Sequence, residues 1–152
     1  MPGCLRVFDV NLRHRHYSRE LIQDLLEHAE VLKLNEDELP IVSGLLNIGG
    51  STKERMETLM DKFALDAVAL TRGARGSVLL SRGHLEVHHG LRVDFVENTL
   101  GASDAFTALL VMGLLQEWPL SEISERANRL ASYVCTRRGA MPPHPQYAPV
   151  AR

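Results

Sequence analysis

"VENTLGASDAFTALLVMGLL", residues 96–115, couples a polar, glycine-containing turn to a helix that is apolar almost all round, with one carboxylate, Asp104, at the helix mouth. A helix apolar on every side is a buried helix, so a charge at its start needs a reason. The first backbone N–H groups of a helix have no intrahelical partners, and the helix dipole adds partial positive charge there. Gly101 and Ala102 carry little or no side chain, so "GASD" (Gly101, Ala102, Ser103, Asp104) leaves those amides approachable by an anion such as a transferring phosphoryl group. Asp104 beside such a cradle is placed to take a proton from an attacking hydroxyl. On these four residues alone, the plainer alternative is that Asp104 merely caps the helix.

Outward from this stretch, short apolar runs alternate with helical patterns, which argues for a layered α/β fold. Strands are expected at 6–10, 31–34, 67–71, 77–81 and 84–88. A helix is expected over 18–29, where Leu21, Leu25, Leu26 and Ala29 share a face. A second starts at Ser51, because "STKE" is a capping box in which Ser51 and Glu54 satisfy each other's backbone amides. The preceding "IGG" reads as a loop feeding that helix, not as a phosphate loop. A third helix runs from Ser103 to Trp118, and a fourth from Ser121 to Thr136. Residues 144–152 form a proline-rich tail, expected to be extended.

The 152 residues suit one domain able to bury roughly 70% of its unfolded surface. A formal charge of −2 gives no electrostatic reason to expect nucleic acid or an anionic membrane as partner. Cys4 and Cys135 stand alone without metal-ligand spacing, which favours a reducing, cytoplasmic setting. His84, His88 and His89 invite a metal reading, but strand geometry turns His89 away from the other two. Solvated strand positions are expected for them. "LRVFDVN" already reads as a buried strand, so the chain opens in what looks like the middle of a sheet.

Residues 98–106, "NTLGASDAF", resemble the C-terminal signature of the PfkB (ribokinase-like) carbohydrate kinases, D-T-x-G-A-G-D-A-F. Four further segments match in order. "VFDVNLR" looks like F-D-x-N-x-R, "LKLNEDEL" carries N-x-x-E at Asn35 and Glu38, and "LTRGARGSVLL" carries T-x-G-x-x-G at Thr71, Gly73 and Gly76. "ANRLASYVCTRRGAMPP" is similar to the last helix and the G-A turn of the adenine pocket. The resemblance implies a three-layer ribokinase-like α/β sheet over residues 1–143, with the family's N-terminal half and lid not preceding Arg6. "FDVNLR" and "LKLNEDEL" are most similar to the fructokinase branch.

The resemblance also implies roles. Asp104 matches the catalytic base, and Gly101, Ala102 and Ser103 complete the anion hole with it. Asn35, Thr71, Gly73, Gly76, Asn128 and Gly139 match nucleotide positions. Glu38 matches a residue that organises Mg²⁺ through water, and Asn11 and Arg13 match substrate-side positions near phosphate transfer. ATP and Mg²⁺ are the implied cofactors, a small sugar the implied acceptor. Singly, each motif has a plain alternative: Gly73 and Gly76 suit any strand connection, and Asn35 and Glu38 suit the start of a surface helix.

Three departures stand out. The sugar-binding half is not in this sequence, so an uncovered sheet edge beside residues 6–10 invites self-association. Ser103 replaces a glycine, which matters only if that backbone takes positive φ. Asn98 replaces an aspartate that in many relatives helps bind a monovalent cation, so that site is expected to be weakened or lost. The favoured expectation is the nucleotide-binding, catalytic portion of an ATP-dependent sugar kinase. The alternative is a truncated or degenerate remnant that binds nucleotide or a protein partner without catalysis.

Overall fold

A computed structural model of the chain describes residues 4–12, 17–140 and 142. Arg13 and the tail at 144–152 lie outside the described residues. The chain forms two compact units, one made of Met1–Arg72 with Val78–Glu86, the other of Gly73–Ser77 with Val87–Arg152.

The first unit carries strands β1 (Val7–Asp9), β2 (Val31–Asn35) and β3 (Ala67–Thr71), and most of β4 (Ser77–Ser81) and β5 (His84–His88). The sheet order follows the chain, β1-β2-β3-β4-β5, so β1 is a terminal strand, as expected. β1 pairs with β2 in parallel, Val7 opposite Val31, and β2 pairs with β3 in parallel from Val31 opposite Ala67 to Asn35 opposite Thr71. Parallel neighbours need crossovers, and helix α1 (Arg19–His28) supplies the first. Helices α2 (Glu38–Leu45) and α3 (Thr52–Phe63) supply the second.

β2 and β3 are buried on both faces, which is why they read as unbroken apolar runs and not as alternation. Leu32, Leu34, Val68 and Leu70 share a core with Ile22 and Leu26 of α1, Val42 of α2, and Met56 and Leu59 of α3. Burying each such side chain contributes about 2 kcal/mol before entropy is counted. Beside β1 an open groove of about 260 Å³ is lined by Phe8, Val10, Leu12, Tyr17, Leu21 and Leu25, among others.

Helix starts follow local chemistry. Ser18 caps α1 by accepting from the Leu21 amide, 3.2 Å. At α3 both arms of the Ser51–Glu54 capping box are present, and the Ser51 amide donates to Glu54 Oε2 at 2.7 Å. That bond, with the Ser51 hydroxyl, holds the Glu54 carboxyl below the usual carboxylate range. Arg82 (φ 48°) and Gly83 (φ 77°) form the two-residue left-handed turn between β4 and β5.

α2 is a helix that residue periodicity did not announce. It is short and apolar on several sides, so it has no stripe, and Pro40 falls in its first turn, where no amide is needed. It is not a surface helix, since Glu38, Leu39, Val42 and Ser43 are buried.

The second unit holds α4 (Ala102–Leu115) and α5 (Leu120–Cys135), which pack on each other. Gly113 permits the contact: a Cβ there would lie 2.5 Å from Ile123 Cγ1. No helix among the described residues is long and apolar enough to cross a membrane.

Candidate functional site

In parallel α/β sheets ligands gather outside the carboxyl ends of the strands. In the first unit Asn11, Asn35 and Thr71 stand at or just beyond those ends of β1, β2 and β3. Asn11 adopts a left-handed conformation, φ 40°. Asn35 and Thr71 are register partners, and the Glu36 amide donates to the Thr71 carbonyl at 3.1 Å.

The N-x-x-E pair is tied together more tightly than a ligand pair needs to be. Asn35 Oδ1 accepts from the amides of Asp37 and Glu38, both at 2.9 Å. Glu38 Oε2 reaches back to the Asn35 amide at 2.8 Å, while Oε1 accepts from the Leu12 amide at 2.9 Å. This is the reciprocal logic of a capping box with asparagine in the first place. A third arm fixes the chain as it leaves β1. Glu38 is 6% exposed, so its carboxylate replaces water with backbone donors on both oxygens. Lys33 Nζ, buried in β2, pairs with Asp9 Oδ1 of β1 at 3.0 Å.

In the second unit, Gly73 begins the 3₁₀ turn Gly73–Arg75 with φ 59°, and Gly76 follows with φ 83°. The Gly76 amide closes the turn on the Gly73 carbonyl at 3.1 Å. A Cβ on Gly76 would lie 2.2 Å from the His88 carbonyl oxygen and 2.3 Å from the Gly90 nitrogen. Only glycine allows that approach. Asn128 of α5 is buried, and its amide nitrogen donates to Ser77 Oγ and to the Ser124 carbonyl, each at 2.7 Å.

The turn before α4 is held against the end of α5. The amides of Glu97 and Asn98 donate to the Cys135 carbonyl at 2.8 and 3.3 Å. Asn98 Nδ2 donates to the Arg137 carbonyl at 2.8 Å, while its Oδ1 accepts from the Leu100 amide at 2.9 Å. Arg138 Nε reaches Glu97 Oε1 at 2.9 Å. Gly101 is left-handed, φ 81°, and its missing side chain makes room for the Ala140 backbone. Gly139, φ 82°, turns the chain just before that contact.

Helix α4 begins at Ala102. Ser103 therefore sits in the first turn with helical backbone and is not among the positive-φ residues; the left-handed position is Gly101. Asp104 is exposed in the same turn, and its carboxylate has no hydrogen bond or ion pair with another described residue. Of the four amides at 101–104, that of Ala102 donates to the Thr99 carbonyl at 3.3 Å.

His88 corrects an expectation. It is not a solvated strand position: its side chain is 14% exposed, its Nε2 faces Glu125 Oε2 of α5 at 3.0 Å, and its Nδ1 accepts from the Gly90 amide at 3.0 Å. The His88 hydrogen bond, with Arg129 contributing, holds the Glu125 carboxyl below its usual range. Strand periodicity placed His88 on a face but carried no sign that a later helix would cover it. His84 and His89 are exposed.

The pfkB family carbohydrate kinase profile matches residues 3–146. Fructokinase of Escherichia coli is 32% identical over 88% of this chain and 46% of that protein. The nucleoside kinase of Methanocaldococcus jannaschii, an archaeal member of the ribokinase family, superposes with a TM-score of 0.77 at 24% identity, covering 93% of this chain and 44% of its own. Aminoimidazole riboside kinase from Salmonella enterica, solved with aminoimidazole riboside and an ATP analogue, gives a TM-score of 0.74 at 30% identity, covering 92% and 49%. The chain spans about half the length of these relatives. The fold is the ribokinase-like α/β fold, and the profile match over nearly the whole sequence agrees with the five motifs: the chain belongs to the PfkB family of carbohydrate kinases.

Proposed function

We propose that this chain is the nucleotide-binding, base-carrying portion of an ATP-dependent sugar kinase. The observation that supports it most is Asp104, exposed and uncommitted in the first turn of α4, directly after a left-handed Gly101 braced by Ala140. A helix N-terminus favours phosphate, and a carboxylate beside it that caps nothing is available for proton transfer.

In this reading Asp104 accepts the proton of a sugar hydroxyl as its oxygen bonds to the γ-phosphorus. The bond between that phosphorus and the bridging oxygen breaks, and ADP leaves. The turn amides, Ser103 included, steady the charge in flight. In the second unit, Gly73, Gly76 and Gly139 are assigned to backbone surfaces for the nucleotide, with Asn128 acting indirectly by holding Ser77. To the first unit we assign Thr71 on the nucleotide side and Asn11 and Arg13 on the acceptor side.

Asn35 and Glu38 act by shaping the strand ends, since their oxygens already hold backbone amides. Glu38 is the residue that would meet Mg²⁺, and only through water, as suits an ion reluctant to dehydrate. When bound, it supplies charge neutralisation to the phosphates. The Asn98 amide, a donor where a cation would need an acceptor, argues against a monovalent cation site. Fructose is the first acceptor to try, on the likeness to the E. coli enzyme.

A second reading rests on Ser103 and Asn98, which depart from the family signature: a degenerate remnant that binds nucleotide without transferring phosphate. Calorimetry with ATP, with and without Mg²⁺, tests the common ground. Binding with sugar phosphorylation supports the kinase, binding without turnover supports the remnant, and no binding sinks both. D104N separates the roles further: ATP affinity should hold within about twofold, because a general base acts in the transition state. Phosphotransfer, where present, should fall about 10²–10⁴-fold. The β1 edge, terminal in the sheet order, is the surface we assign to self-association, read by sedimentation over a concentration series.

A further inference from the structure

The Gly76 turn does not stand alone. Its backbone lies against residues 88–90, and the contact is mutual: a Cβ on Gly90 would lie 2.1 Å from the Ala74 carbonyl oxygen and 3.0 Å from the Gly76 nitrogen. Two left-handed glycines, φ 83° and 84°, thus bring two backbone segments closer than any side chain would permit. The two-residue turn between β4 and β5 gives the segments their register, but the contact has no side chains to interlock it, and its closeness is left to the groups beside it to set.

His88 is the group in a position to set it. The Gly90 amide can only donate, so the Nδ1 it meets must be unprotonated, and the ring proton of the neutral imidazole is then on Nε2, facing Glu125. On α5, Glu125 meets the ring and is itself bonded by Arg129. One turn along α5, Asn128 holds Ser77, the residue after Gly76. Helix α5 therefore grips the turn and its neighbouring segment at one point each.

We infer that His88 is a positioning residue whose unprotonated Nδ1 fixes Gly90, and through Gly90 the backbone of the Gly76 turn, against α5. The inference rests on the reading of that turn as a nucleotide surface.

Two substitutions divide the ring's functions. In H88N the side-chain oxygen can still accept from the amide two residues on, while the link to Glu125 goes. In H88Q the longer amide can still reach Glu125, while the short-range acceptor goes. Hydrogen exchange of the Gly90 amide and calorimetry with Mg-ATP are measured on wild type and both variants under one condition. The Gly90 amide should be protected in wild type and in H88N, and should lose protection in H88Q. Mg-ATP affinity should follow, about fivefold weaker in H88Q and recovered in H88N, the size of one hydrogen bond.

Equal Gly90 protection in all three proteins would overturn the inference, as would wild-type ATP binding that H88Q leaves unchanged. Absence of ATP binding in wild type would instead overturn the nucleotide reading, and the exchange data alone would then decide whether His88 fixes Gly90.

Discussion

A Cβ atom on Gly101 would lie 2.4 Å from the carbonyl oxygen of Ala140 and 2.8 Å from its Cα. The turn before α4 and the turn after α5 are therefore in backbone contact, and the contact exists only because one of them is glycine. G101A meets two obstacles together, a left-handed φ of 81° and a collision with main chain that cannot rotate away. We expect a stability loss of about 2–4 kcal/mol. Mg-ATP affinity should fall with it, measured by calorimetry beside thermal unfolding.

Ser103 leads to the opposite expectation. Its backbone is helical, so restoring the family's glycine relieves no strain and adds chain freedom to the first turn of α4. S103G should lower stability by up to about 1 kcal/mol and leave Mg-ATP affinity within about twofold. A marked gain in affinity would show that the serine side chain obstructs the phosphate site.

These two residues also mark what was legible in the sequence. The motif string gave the position of the turn but not which of its members is left-handed, because φ is set by the contact with Ala140, far along the chain. The five strands were legible from apolar runs, and β3, β4 and β5 begin and end where the runs do. The Ser51–Glu54 box was legible because it is local. The box formed by Asn35 and Glu38 uses the same spacing, but asparagine in the first place and the third arm to Leu12 hid it. His88 was misjudged for the reason that hides most tertiary contacts: Glu125 lies 37 residues on.

E38Q tests whether that carboxylate is a structural clamp. An amide offers one oxygen and one N–H₂ group to two backbone donors, so one bond is lost and a donor faces a donor in a buried site. We expect a loss of about 2 kcal/mol in chemical unfolding. The Mg²⁺ dependence of ATP binding should change little; a large shift in that dependence would show direct participation in holding the ion.

Acid should weaken α3 through Glu54. Its carboxyl is held below the usual range by the Ser51 amide and hydroxyl. A carboxyl depressed in the folded state adds stability above its unfolded value, and that stability is lost as pH falls through the folded value. E54Q can keep a hydrogen bond to the Ser51 amide but has no proton to gain. It should be less stable than wild type at neutral pH, with the difference shrinking as the medium becomes acid enough to protonate Glu54. Urea midpoints at the two extremes read this directly, and a pH-independent difference would exclude the linkage.

Asn98 offers the sharpest contrast in charge. Its Nδ2 donates to the Arg137 carbonyl while its Oδ1 accepts from the Leu100 amide, so the side chain ties the turn before α4 to the end of α5 with a donor and an acceptor at once. N98D keeps the acceptor and replaces the donor with a second acceptor, now charged and facing a carbonyl oxygen. Two oxygens at hydrogen-bond distance with no proton between them repel, and the arrangement is relieved by a cation that both can bind. Wild type should show the same unfolding midpoint in potassium as in a bulky quaternary ammonium salt of equal ionic strength. N98D should be less stable in the ammonium salt, by about 1–3 kcal/mol, the cost of an unsatisfied buried or half-buried acceptor. Potassium should restore part of that loss in proportion to its concentration, as a ligand that binds only the folded state must. Identical behaviour of N98D in both salts would mean that the amide is a tie and not a replacement for an ion, and wild-type stability that rises specifically with potassium would show that a cation binds despite the amide.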